Sequence, residues 1–170
     1  MEAAVAIVHA CEPEESVLLI RRTERADDPW SGHWSFPGGR RDPEDADLLA
    51  TALRELEEEC GIALPRALVA AELPVAMAGR TVGRVVTVAP FLFRIASSLA
   101  TRPNPYEAVE AVWVPLEILR DRARHALRTV PGVPPGRQFT AIELNGVPLW
   151  GFTYRVLCDW LGTGDFCTLE

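Results

Sequence analysis

Apolar and polar positions alternate along the chain in short β-type runs broken by a few helical ones. Residues 3–9 and 16–22 read as strands separated by the turn-rich CEPEE. Residues 23–32 form a loop, and residues 33–36 a short strand running into Pro37, Gly38 and Gly39. The period then changes to that of a helix. From about Asp45 to Cys60, Leu49, Ala52, Leu53, Leu56 and Cys60 make one apolar stripe, and Gly61 supplies the stop. Residues 67–78 and 81–96 predict a hairpin around Gly79, its second strand rich in Val, Thr and Phe. A strand over 106–114, a helix over 115–128 with Pro115 in its first turn, a strand over 138–144 and a closing helix over 152–161 complete the order. Strands mixed with a few helices predict an α/β protein, a mixed sheet covered on its faces. The stretch PGVPPG, 131–136, is expected as a stiff surface loop, and the absence of repeats or linkers predicts a single domain over 1–170.

The 170 residues are 48% apolar, enough to build a core without disulfides or a structural metal and too many for a disordered chain. A net charge of −7 disfavours a nucleic-acid groove binder. The charge is local. Residues 42–59 hold eight acids against one base, Arg54, and the rest of the chain carries equal numbers of each. The longest apolar runs fall well short of the roughly 20 residues that cross a bilayer, and no secretory leader pattern opens the chain. Cys11, Cys60, Cys158 and Cys167 lack CxxC spacing, and Cys60 and Cys158 sit in apolar helical patterns; buried thiols in a reducing cytoplasm are expected. Every base is Arg, which suits either phosphate recognition by guanidinium forks or a bias in codon usage.

On the helix over 45–60, Glu55, Glu58 and Glu59 share one patch while Glu57 points away. Like charges at this spacing destabilise a helix by roughly 0.2–0.5 kcal/mol per pair, and the helix C-terminus disfavours anions further. Such a patch is either a solvated helix face or a site for a compensating cation. Oxygen ligands without Cys or His select a hard ion such as Mg²⁺ or Mn²⁺. One helix cannot enclose the ion, so positions remain for water and phosphate oxygens, the setting of metal-assisted phosphoryl chemistry.

The segment 39–62, GRRDPEDADLLATALRELEEECGI, resembles the Nudix box, GX5EX7REUXEEXGU with U aliphatic. Arg54, Glu55, Leu56, Glu58, Glu59, Gly61 and Ile62 match its second half; the first half is one residue longer, and Glu44 and Asp45 compete for the upstream acid. The resemblance implies an α/β/α sandwich that hydrolyses a nucleoside diphosphate linked to another moiety. It implies Glu55, Glu58, Glu59 and the carbonyl of Gly38 as metal ligands for Mg²⁺ or Mn²⁺, and Arg54 as the residue that orients a glutamate. The general base comes from different places in this family; Glu107 and Glu110 are candidates, as against ordinary solvated strand-edge acids.

Residues 18–39, LLIRRTERADDPWSGHWSFPGG, resemble the motif LLTXRSX3RX3GXVXFPGG of coenzyme A diphosphatases, one residue longer and with its internal Arg replaced at Asp28. LWGFTYRVLCDWL, 149–161, resembles that group's closing helix. The implied substrate is coenzyme A or an acyl-coenzyme A, with other nucleotides or a non-catalytic binding module as alternatives and a homodimer left open. Arg21, Arg22 and Arg25 are candidate substrate contacts, or else pair with Glu24, Asp27 and Asp28. Trp30 could stack on an adenine or cover the apolar body, whereas Trp34, Trp113, Trp150 and Trp160 are expected in the core.

Overall fold

A computed structural model describes residues 2–26, 30–131, 133 and 136–164. Asp27, Asp28, Cys167 and part of the PGVPPG loop lie outside the described residues. The central sheet is built on β1 (Glu2–Glu12) and β7 (Val86–Ser97), paired in parallel from Glu2↔Thr87 to Glu12↔Ser97. Beyond β7 lie β5 (Val69–Glu72) and β6 (Ala76–Ala78), both antiparallel to it. On the other side, β2 (Ser16–Arg22) pairs with β1 only at His9 and Ala10, and along its far edge with β8 (Ala108–Pro115).

β1 and β2 then splay apart, and the Phe-Pro-Gly-Gly segment fills the gap. Its β3 (Trp34–Ser35) pairs with β2, and its β4 (Gly38–Arg40) pairs with β1. The Pro37 carbonyl accepts from the Ala6 N–H at 2.8 Å, so the turn between them is bonded to β1 as well.

Period-2 alternation sorts the core into two layers. Ala4, Ala6, Val8 and Ala10 of β1, with Leu18 and Ile20 of β2, face α1 (Leu48–Cys60) and meet Ala52, Leu56 and Cys60. The three alanines let the helix lie close on the strand. Ile7, Val17 and Leu19 face the opposite layer, made of α2 (Leu116–Arg120), α3 (Gly151–Leu161) and a second sheet of β9 (His125–Thr129), β10 (Gln138–Leu144) and β11 (Val147–Leu149). The expected α/β/α sandwich is present, with a small sheet added to one outer layer.

Three expectations need correction. The strand over 67–78 is broken: a 3-10 turn occupies Arg66–Leu68, and β5 and β6 are separated at Leu73–Val75, opposite Pro90 of β7, which has no N–H to donate. The helix over 115–128 stops at Arg120. Asp121 caps a 3-10 turn, Arg122–Arg124, by accepting from the Ala123 N–H, and residues 125–129 pair with β10 instead. β11 was not expected, although Asn145–Gly146, both at positive φ, is the turn that closes its hairpin. Trp34 and Trp150 are buried, and Trp113 and Trp160 partly so; Cys60 and Cys158 are buried free thiols.

Candidate active site

Helix α1 begins at Asp47, whose carboxylate accepts from the Ala50 N–H at 2.8 Å, and ends at Gly61. Its packing on β1 turns Glu55 and Glu59 inward beneath Gly38 and Gly39. The Gly38 N–H donates to Glu59 Oε2 at 2.8 Å, and Glu59 is 3% exposed. Side chains would not fit there. A Cβ on Gly38 would lie 2.4 Å from the Ala4 carbonyl oxygen, and one on Gly39 would lie 2.3 Å from Glu55 Oε1.

Arg54 organises the outer rim. It holds Asp45 with two hydrogen bonds, reaches the Arg40 carbonyl at 3.2 Å, and donates to Glu55 and Glu58 at 2.9 Å each. The upstream acid is therefore Asp45, which is buried; Glu44 is exposed. Glu58 is the exposed member of the carboxylate set.

Glu107 comes to the same place from the far edge of the sheet. The C-terminal carbonyls of α1 hold its turn: Asn104 N–H donates to Glu59 O at 3.1 Å and Arg102 N–H to Cys60 O at 2.7 Å, while Glu107 N–H closes on Asn104 O. Glu107 Oε2 is buried without a hydrogen-bond partner among the described residues. Glu110, in register with Arg21, instead forms an ion pair with Arg21 Nε at 2.6 Å, and beyond it a β-bulge at Val109 shifts the pairing to Arg22↔Ala108.

The electrostatics show the crowding. Burial pushes the Glu59 carboxyl up to about 8; the Gly38 N–H and Arg22 oppose this, and Glu55 and Glu107 add to it. Burial also raises Glu55, with Arg54 opposing and Glu58 and Glu107 adding. Among the described residues no three acidic, His or Cys side chains are gathered tightly enough to hold an ion as they stand. Arg54 and the Gly38 N–H occupy the glutamate oxygens instead. The donor set still fits a hard divalent ion: oxygen atoms only, space kept open by Gly39, and one buried carboxylate oxygen of Glu107 in need of a partner.

Gly38 and Gly39 also form one end of a cleft of about 260 Å³. Trp30, Trp34, Phe36, Trp150 and Phe152 give it an aromatic lining; Arg22, Arg40, Arg80 and Arg155 supply charge, and among the described residues no acid lines it. Arg22 and Trp30 are thus where a substrate contact would be. Arg21 is turned to Glu110, and Arg25 ties the loop to the Tyr106 carbonyl and to Ser31 Oγ; neither lines the cleft. Arg40, Arg80 and Arg155 were missed in the sequence because β4, the turn after β6, and α3 meet only in the folded chain.

A family model described as the NUDIX domain matches residues 1–131. The uncharacterized Nudix hydrolase NudL of Photorhabdus laumondii is 36% identical over 115 residues, 67% of this chain and 58% of that protein. The chain therefore spans little more than half the length of that curated relative. A MutT/nudix family protein from Enterococcus faecalis aligns over 95% of this chain and 61% of its own with a TM-score of 0.69 at 16% identity. The NUDIX domain of Shewanella oneidensis NrtR, solved with ADP ribose, aligns over 69% of this chain and 73% of its own, with a TM-score of 0.57 and 22% identity.

Proposed function

Because this chain belongs to the Nudix family, we propose that it is a diphosphate hydrolase that cleaves the diphosphate linkage of coenzyme A or an acyl-coenzyme A, acting in the cytoplasm as one domain over residues 1–170. The observation that carries the reading is the meeting of Glu55, Glu59 and Glu107 at the Gly38–Gly39 end of a cleft lined by arginines and, among the described residues, by no acid. The choice of coenzyme A is supported by where the two resembling segments fall: Trp30 and Trp34 to Phe36 from one, and Trp150 to Thr153 from the other, line the same cleft. The free thiols Cys11, Cys60 and Cys158 support the compartment.

Glu55, Glu58 and Glu59, with the carbonyl of Gly38, would hold Mg²⁺ or Mn²⁺. The ion supplies positive charge that offsets the diphosphate and favours ionisation of water beside it. Arg54 keeps Glu55 and Glu58 in place from its anchor on Asp45. Glu107 takes the proton from the attacking water. The water oxygen bonds to one phosphorus as that atom's bond to the bridging oxygen breaks, leaving two monophosphates. Arg22 binds the non-bridging oxygens, and Trp30 packs on the adenine ring.

A panel of coenzyme A, acetyl-coenzyme A, ADP-ribose, diadenosine polyphosphates and dNTPs, each assayed with Mg²⁺ and with Mn²⁺, tests the assignment. The coenzyme A compounds are expected to have the highest kcat/KM. If they are the poorest substrates, the assignment fails.

A further inference from the structure

We propose that Arg80 and Arg155 form a second anion subsite in the cleft, one that takes a phosphate monoester carried by the nucleoside of the substrate. This rests on the reading of the cleft as the substrate site. Several arginines outside the cleft are held in ion pairs: Arg21 with Glu110, Arg66 with Asp47, Arg120 with Glu15 and Arg128 with Glu143. Arg40, Arg80 and Arg155 have no ion pair among the described residues, and all three line the cleft, to which no described acid contributes.

The diphosphate accounts for one end of that space only. Arg40 is in register with Ala3, Ala3 with Val88, and Val88 with Ala76. Three interstrand steps therefore separate β4 from β6, or about 14 Å. Arg22 and Arg40 serve the Gly38–Gly39 end. Arg80 and Arg155 gather around the end of β6: Arg80 follows Gly79 directly, and Arg155 is fixed by donating Nη2 to the Met77 carbonyl at 2.8 Å. Between the two ends lie Ala3, Val88 and the ring of Phe152, with the Trp30 ring beside Gly79, an apolar bed for a base and sugar. Two guanidinium groups without an ion pair among the described residues match one dianion, and a phosphate monoester carries about −1.5 to −2 at neutral pH.

Calorimetric titration with adenosine 3′,5′-bisphosphate and with AMP tests the subsite without any turnover. The wild type is expected to bind the bisphosphate about tenfold more tightly. Arg80→Gln and Arg155→Gln should each reduce that ratio, and the double variant should bring it to about one. Thermal melts check that the variants fold. Equal affinities in the wild type, or a ratio unchanged in the folded double variant, would overturn the subsite. A bisphosphate preference that the double variant loses, in a protein that does not hydrolyse coenzyme A, keeps the subsite and discards the coenzyme A assignment. Hydrolysis of coenzyme A with no bisphosphate preference discards the subsite alone.

Discussion

Both carboxylate oxygens of Asp45 are held by the guanidinium of Arg54, Oδ1 by Nε and Oδ2 by Nη2, each at 3.0 Å. Asp45 also accepts from Thr51 Oγ1 at 2.8 Å and from the Asp42 N–H at 2.9 Å. Asp45→Asn preserves the shape and removes the charge. It is expected to destabilise the protein by about 2–3 kcal/mol and to lower kcat more than it raises KM, because Arg54 loses its anchor. Glu44→Gln, one residue away and exposed, is expected to change neither. Thermal melts and steady-state kinetics on the two variants distinguish them.

Two pH limits follow from burial and pairing. Arg54 holds the Asp45 carboxyl well below the usual range, so its contribution to stability is present above the unfolded value of about 3.9 and disappears as pH falls through the folded value. His125 acts at higher pH. Burial lowers its pKa, and its ring atoms sit 2.7 Å from Tyr154 Oη and 3.0 Å from the Leu119 carbonyl. Stability from neutral His125 is present above about 6.5 and lost as pH falls below it. Melting temperature measured against pH should show both limbs. Asp45→Asn should flatten the lower one and His125→Gln the upper.

The adjacent glycines should respond differently to the same substitution. Gly38→Ala drives a methyl into the backbone of Ala4 and Val5, which cannot move without breaking the sheet, so a large drop in melting temperature is expected. In Gly39→Ala the nearest atoms to the methyl are those of the Glu55 carboxylate, the end of a flexible side chain. The fold should survive, while activity falls at least about tenfold as Glu55 is displaced. Equal stability losses in the two variants would contradict the contacts described.

Glu107 and Glu110, three residues apart, separate by role. Glu107→Gln is expected to lower kcat by about 10²-fold or more with the fold intact. Glu110→Gln removes only a half-buried pair with Arg21, at a cost below about 1 kcal/mol. Wild-type kcat in Glu107→Gln would place the base elsewhere.

Glu58→Gln and Glu59→Gln each remove charge from the carboxylate set, the one at the exposed rim and the other beneath Gly38. Both should cut kcat by about 10²–10³-fold and raise the Mg²⁺ concentration needed for half-maximal rate. Near-wild-type activity in both would refute the helical metal site.

Local signals carried the sequence reading furthest. The stripe of α1 and the spacing of Glu55, Glu58 and Glu59 lie within a few turns of one helix, so helical periodicity alone placed them on one patch. Residues 121–128 misled because their apolar spacing fits a helix, whereas pairing with β10 and the burial of His125 decide for a strand. Glu107 and Glu110 could not be told apart without the pairing of β2 with β8 and its bulge at Val109, a property of two strands together. Arg80 and Arg155 carry no motif. Their proximity depends on β6 and α3 being brought side by side by the packing of the whole chain.

The wedge of β3 and β4 between β1 and β2 fixes Gly38 and Gly39 by ladder bonds from two strands, and Glu59 is tied to that wedge in turn. Trp30, Arg80 and Arg155, by contrast, are presented by a loop, a turn and a helix surface. Mutations in those outlying segments can therefore reshape what the cleft accepts while the carboxylate end keeps its geometry. Ligand preference can drift within a lineage without each step disturbing Glu55, Glu59 or the two glycines.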